Sequence, residues 1–79
     1  MSLAHHIVTV SILDPSGASV RGEGDVFSHC CDLSEIGKRA VAKAARERYA
    51  ARGVILATCE VQIDKSAGAF AVDATVEAA

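Results

Sequence analysis

Four stretches of the chain alternate between apolar and polar residues, and a fifth repeats with the period of a helix. Over residues 5–13, Val8, Val10 and Ile12 fall on one face and Thr9 and Ser11 on the other, the period-two pattern of a half-buried strand. Residues 19–28 alternate again, with Val20, Gly22, Gly24 and Val26 on the apolar side and Arg21, Glu23 and Asp25 opposite. Residues 54–63 place Ile55, Ala57, Cys59, Val61 and Ile63 on one side and Leu56, Thr58, Glu60 and Gln62 on the other. Residues 69–77 point Phe70, Val72, Ala74 and Val76 inward and Asp73, Thr75 and Glu77 outward. Asp14-Pro15-Ser16-Gly17 joins the first two stretches as a turn, and residues 64–68 form a loop of hairpin length between the last two.

The helical stretch is 32–53. Asp32 is placed to cap its N-terminus and Glu35 to reach back to the Asp32 amide, as in a capping box. Six alanines supply helix propensity, and Gly53 suits the left-handed residue that ends a helix. At about 100° per residue, Gly37, Ala40, Val41, Ala44 and Ala51 cluster on one side, with Ile36 and Arg48 at the margins and Arg39, Lys43 and Arg46 opposite. The layout predicts one domain over residues 1–79 of the α+β class: a four-stranded antiparallel sheet in the order ββαββ, with one helix packed on one face.

Composition tightens this picture. The chain has 79 residues, no Trp, and an apolar half built mainly from Ala, Val and Ile. Such a core is thin, near the lower limit for a domain that folds alone, and depends on close approach of small residues. Three cysteines, two of them adjacent as Cys30-Cys31, do not make a disulfide framework and suit a reducing cytosol. The segment MSLAHHIVTV lacks the ordered regions of a secretory signal, and no apolar run reaches membrane-spanning length.

Net charge is −2, yet it is segregated. Residues 38–52 hold Lys38, Arg39, Lys43, Arg46, Arg48 and Arg52 against the single anion Glu47, so the rest of the chain is acidic. Strand alternation places Glu23, Asp25, Glu60, Asp73 and Glu77 on the uncovered sheet face, with Arg21 its one cation and Glu60 and Asp73 facing across the second hairpin. These five are the candidate contacts to a basic protein partner; Arg39, Lys43 and Arg46 are the alternative, a phosphate-binding helix face. Glu35–Arg39 and Lys43–Glu47 have the spacing of helix ion pairs, with which a merely solvated helix face would be satisfied.

No catalytic residue, cofactor site or metal site is predicted. There is no nucleophile elbow and no glycine-rich phosphate loop. His29-Cys30-Cys31-Asp32 contains ligand-type side chains, but adjacent cysteines in extended chain point apart, which makes joint ligation of one ion awkward. The expectation is a non-enzymatic binding protein.

In format the chain resembles the type I anti-CRISPR proteins of phages and mobile elements: its whole length is one compact α/β domain of this size, with an acidic face and no active-site motif. That resemblance implies an inhibitor in the host bacterial cytosol. It would bind a subunit of a CRISPR surveillance complex through Glu23, Asp25, Glu60, Asp73 and Glu77 and block DNA recruitment. The second half, GKRAVAKAARERYAARGVILATCEVQIDKSAGAFAVDATVEA, is similar to dodecins, small flavin-storing shell proteins, in its helix–strand–strand layout. The chain departs from dodecins in its extra strand before the helix and in lacking the Trp that stacks on flavin. What carries over is a symmetric oligomer, such as a homodimer through sheet edges.

Overall fold

A computed structural model describes residues 5–14, 16 and 25–77. The elements run β1 (His5–Leu13), β2 (Asp25–Cys30), α1 (Glu35–Ala50), β3 (Leu56–Asp64) and β4 (Ala69–Val76). The strands form one sheet in the order β2-β1-β4-β3. The chain is α+β, with one helix and a four-stranded mixed sheet among the described residues.

The sheet is mixed where an all-antiparallel one was expected. β1 pairs antiparallel with β2 and β3 with β4, but the two central strands, β1 and β4, run parallel. The cause is the helix. A tight turn can only join antiparallel neighbours, whereas a helical crossover returns the chain to the end from which it left. α1 carries the chain from β2 at one edge to β3 at the other, so β3 sets off in the direction of β2. Two antiparallel pairs then oblige β4 to run with β1.

Register fixes which side chains face the helix. Val8, Val10 and Ile12 lie beside Phe70, Val72 and Ala74 across the central pair, and all six are buried. Cys59, Val61 and Ile63 continue this face on β3, half-buried, opposite Ala74, Val72 and Phe70. The inward faces of β1 and β4 are thus those the alternation predicts. On β3 the alternation breaks at its start. A register shift between Leu56 and Thr58 lets Leu56 turn inward, 4% exposed, and leaves Ile55 out at 55%.

β2 is inverted over the part that is described. Phe27 faces the helix side and Val26 the open side, where it is 53% exposed. Phe27 has a larger apolar surface to bury than Val26, and it packs against the core with the Arg48 guanidinium over its ring at 5.0 Å. Val20, Arg21, Gly22, Glu23 and Gly24 lie outside the described residues.

The helix begins two residues later than its sequence signal. Ser34, not Asp32, is the N-cap: its side chain accepts from the Gly37 amide at 3.1 Å, which makes Glu35 the first helical residue. Gly53 ends the helix as its sequence predicts, at φ 80. The amides of Val54 and Gly53 donate to the carbonyls of Tyr49 and Ala50, the two bonds of a Schellman motif.

Gly37, Val41, Ala45 and Tyr49, one i, i+4 row, form the buried face. Gly37 and Val41 were expected there; Ala40 and Ala44 flank it, and Ala51 is exposed. Tyr49 rotates the face, since the only aromatic ring of the helix has most to gain from burial. Gly37 allows close approach: a Cβ there would overlap the Asp32 carbonyl and stand 3.2 Å from the Phe70 ring.

Candidate interaction surface

The side of the sheet away from α1 has no element over it among the described residues. Its side chains form transverse rows in the strand order. Ser28, Ile7, Ala69 and Asp64 make one row; Val26, Thr9, Ala71 and Gln62 make the next. Ser11, Asp73 and Glu60 follow, then Leu13, Thr75 and Thr58. The β1–β2 half of this face mixes exposed aliphatic side chains, Ile7 at 54%, Val26 at 53% and Leu13 at 40%, with the hydroxyls of Ser28, Thr9 and Ser11. The β4–β3 half is polar and acidic.

Glu60 and Asp73 are directly opposed across the β3–β4 pair, as the sequence suggested. Like charges in that position destabilise a sheet. No cation forms an ion pair with either among the described residues. They border a depression of about 280 Å³ shared with Ser11, Leu13, Thr58 and Thr75, in which the two threonine hydroxyls lie 2.8 Å apart. Glu77 is exposed just beyond β4, and its amide donates to the Ile55 carbonyl at 2.8 Å.

Asp25 does not belong to this surface. Its carboxylate lies on the helix side, where Oδ2 accepts from the Tyr49 hydroxyl at 2.8 Å and from Arg52 at 2.8 Å. Hydrogen bonds from Tyr49 and then Arg52 hold its pKa below the usual carboxylate value. Burial, with Asp25 as acceptor, pushes the Tyr49 phenol up to about 12. Arg52 also stacks over the Tyr49 ring at 5.2 Å. This cluster ties the end of α1 to the start of β2. Alternation along β2 could not reveal it, because the partners come from a helix more than twenty residues on. The legible signal was Tyr49 itself, a large aromatic in the same i, i+4 row as Gly37 and Val41.

The basic stripe of α1 is partly spent inside the fold. Arg46 donates to the Leu56 carbonyl at 2.7 Å, Arg48 covers Phe27, and Arg52 holds Asp25. Lys43 stands 4.0 Å from Glu47, the predicted pair. Glu35 pairs with Lys38 at 3.5 Å rather than with Arg39. Arg39 is exposed.

The cysteines point to different environments. Cys31 is buried with its thiol directed at the Gly37 carbonyl, and burial raises its pKa, as it does for the half-buried Cys59. Cys30 is exposed. Among the described residues the fold gathers no three His, Cys, Asp or Glu side chains into a metal-binding group, and no helix is long and apolar enough to cross a membrane.

A scan of known protein families and searches of curated proteins and of solved structures find no significant match to this chain.

Proposed function

We propose that the protein is a binding module whose open sheet face engages a cationic protein surface, with Glu60 and Asp73 as the charged anchor and Ile7, Val26 and Leu13 as the apolar flank. The observation that carries this is the opposed pair Glu60–Asp73, with which no cation forms an ion pair among the described residues. Two carboxylates held side by side on a strand pair repel each other in the free protein and gain most when a lysine or arginine comes between them. Exposed aliphatic side chains in the adjoining rows supply area that electrostatics alone does not. Asp25 has its own partners and Glu77 is peripheral, so both are secondary to this anchor.

In its narrower form the cationic surface is the nucleic-acid groove of a bacterial type I CRISPR surveillance complex, which the protein would occupy in place of DNA. The decisive experiment measures DNA binding by such a purified complex with wild-type protein and with a Glu60→Lys/Asp73→Lys double variant. Loss of DNA binding with the wild type, restored by the variant, supports the narrower form. If the wild type leaves DNA binding intact, that form is wrong. The broader reading is then judged by capture of basic proteins from nuclease-treated bacterial lysate, and equal capture by both proteins sinks it.

A further inference from the structure

We propose that the partner docks as an extended segment added to the free edge of β3, with an aliphatic side chain in the groove between β3 and α1 and a lysine or arginine opposite Glu60. This rests on the cationic-partner reading and specifies how the cation is delivered.

Three features converge on this edge. β3 is the terminal strand of the sheet, paired with β4 alone among the described residues. At the far edge, the Asp25 carboxylate of β2 is engaged by Tyr49 and Arg52. Past the irregularity at Leu56 and Thr58, the run to Asp64 is regular, and among the described residues no backbone bond from elsewhere closes its outer side. An edge of this kind is a hydrogen-bond template for one more strand.

Beside the edge, on the helix side, lies a groove of about 190 Å³ with Ala42, Cys59 and Val61 as its apolar floor. Lys38 and Arg39 border it, Lys38 already paired with Glu35. Side chains of an added strand alternate between the two faces. Those on the helix side enter this groove; those on the open side extend the row Ser11–Asp73–Glu60 by one position. A cation there meets Glu60 directly, with Asp73 one strand further along the same row, about 10 Å away. The chemistry of the occupant follows: aliphatic residues alternating with lysine or arginine.

A second copy of this chain fits less well. β3 carries Glu60 and Asp64 and no lysine or arginine, so pairing it with its own counterpart brings acids and neutral residues, never a cation, to the open face. The same acids guard the edge against self-pairing.

The test uses a fluorescein-labelled, end-capped peptide of alternating valine and lysine, about seven residues long. Its affinity is measured by polarisation, and its site by amide NMR shifts. Three further peptides replace lysine by glutamate or N-methylate one or the other set of alternate amides. The expected result is binding with shifts concentrated at Thr58–Ile63, at least about tenfold weaker for the glutamate peptide, for one of the two N-methylated forms and for Glu60→Lys, whose fold is checked by circular dichroism. Undiminished binding of both N-methylated forms, or shifts centred on β2, overturns strand addition and leaves the cationic face standing. Undiminished binding of the glutamate peptide overturns the cationic reading and this proposal with it. No binding of the valine–lysine peptide overturns the proposal.

Discussion

The two sides of this sheet treat a carboxylate in opposite ways. On the helix side Asp25 is held by a phenol and a guanidinium, each at 2.8 Å. On the open side Glu60 and Asp73 face each other, without an ion pair among the described residues. The first arrangement serves the fold, because charge-assisted bonds to a partly sheltered carboxylate favour the state that makes them. The second costs the fold and gains nothing until something else arrives. An acid that is satisfied within the chain belongs to structure; a pair that is not satisfied is the better place to look for a partner.

The contrast between the sides is sharpest in their apolar residues. Phe70, fully buried beside Val8 and Ile63, anchors the covered side. Phe70→Ala is expected to cost about 3–5 kcal/mol, much of what a domain of this size possesses. Ile7, half exposed, should cost under about 1 kcal/mol when cut to alanine. Urea denaturation followed by circular dichroism measures both. An Ile7→Ala loss as large as that of Phe70→Ala would show that the open face is buried after all, and a dependence on protein concentration would identify a second copy as its cover.

Next in size is the Asp25 clamp. Asp25→Asn keeps an oxygen for the Tyr49 hydroxyl but loses the charge that holds Arg52, for an expected loss of about 1 kcal/mol at neutral pH. Since the folded-state pKa of Asp25 lies below its unfolded value, the stabilisation is complete above the unfolded value and disappears as pH falls through the folded one. The gap between wild type and variant in urea midpoint should therefore close in acid. From the alkaline side, the chain's single tyrosine reports on the same cluster. Its ultraviolet titration should fall near 12 and move back toward 10 in Asp25→Asn. A wild-type midpoint at the ordinary tyrosine value would dissolve the clamp.

These residues also show what a linear pattern can and cannot convey. Alternation located β1 and β4 and assigned Val8, Val10, Ile12, Phe70, Val72 and Ala74 to the core, because a strand covered on one side has a strict period of two. It misplaced Asp25 and Val26, since two glycines and two valines before Phe27 suggested the wrong phase. The parallel centre of the sheet was hidden for another reason: strand direction depends on where the helix delivers the chain, not on any residue within the strands. The Glu60–Asp73 pairing was legible because a short hairpin loop fixes register locally. The Tyr49–Asp25–Arg52 cluster was not, because it joins elements distant in sequence.

The smallest expected effect bears most directly on function. Glu60→Gln or Asp73→Asn removes one member of a repelling pair and should stabilise the domain by about 0.2–1 kcal/mol. The gain should shrink as salt rises, because exposed charges are screened within about 10 Å at 0.1 M ionic strength. After either substitution the other should add little, since the repulsion is a shared term that one neutral side chain abolishes. A double-mutant cycle by urea denaturation at low and high salt reads all three. Destabilisation by either single variant would mean that these carboxylates have a stabilising role in the fold. Stabilisation together with weaker binding to a cationic partner would show that the chain retains an unfavourable pair for the sake of that contact, as the Asp25 side of the sheet never has to.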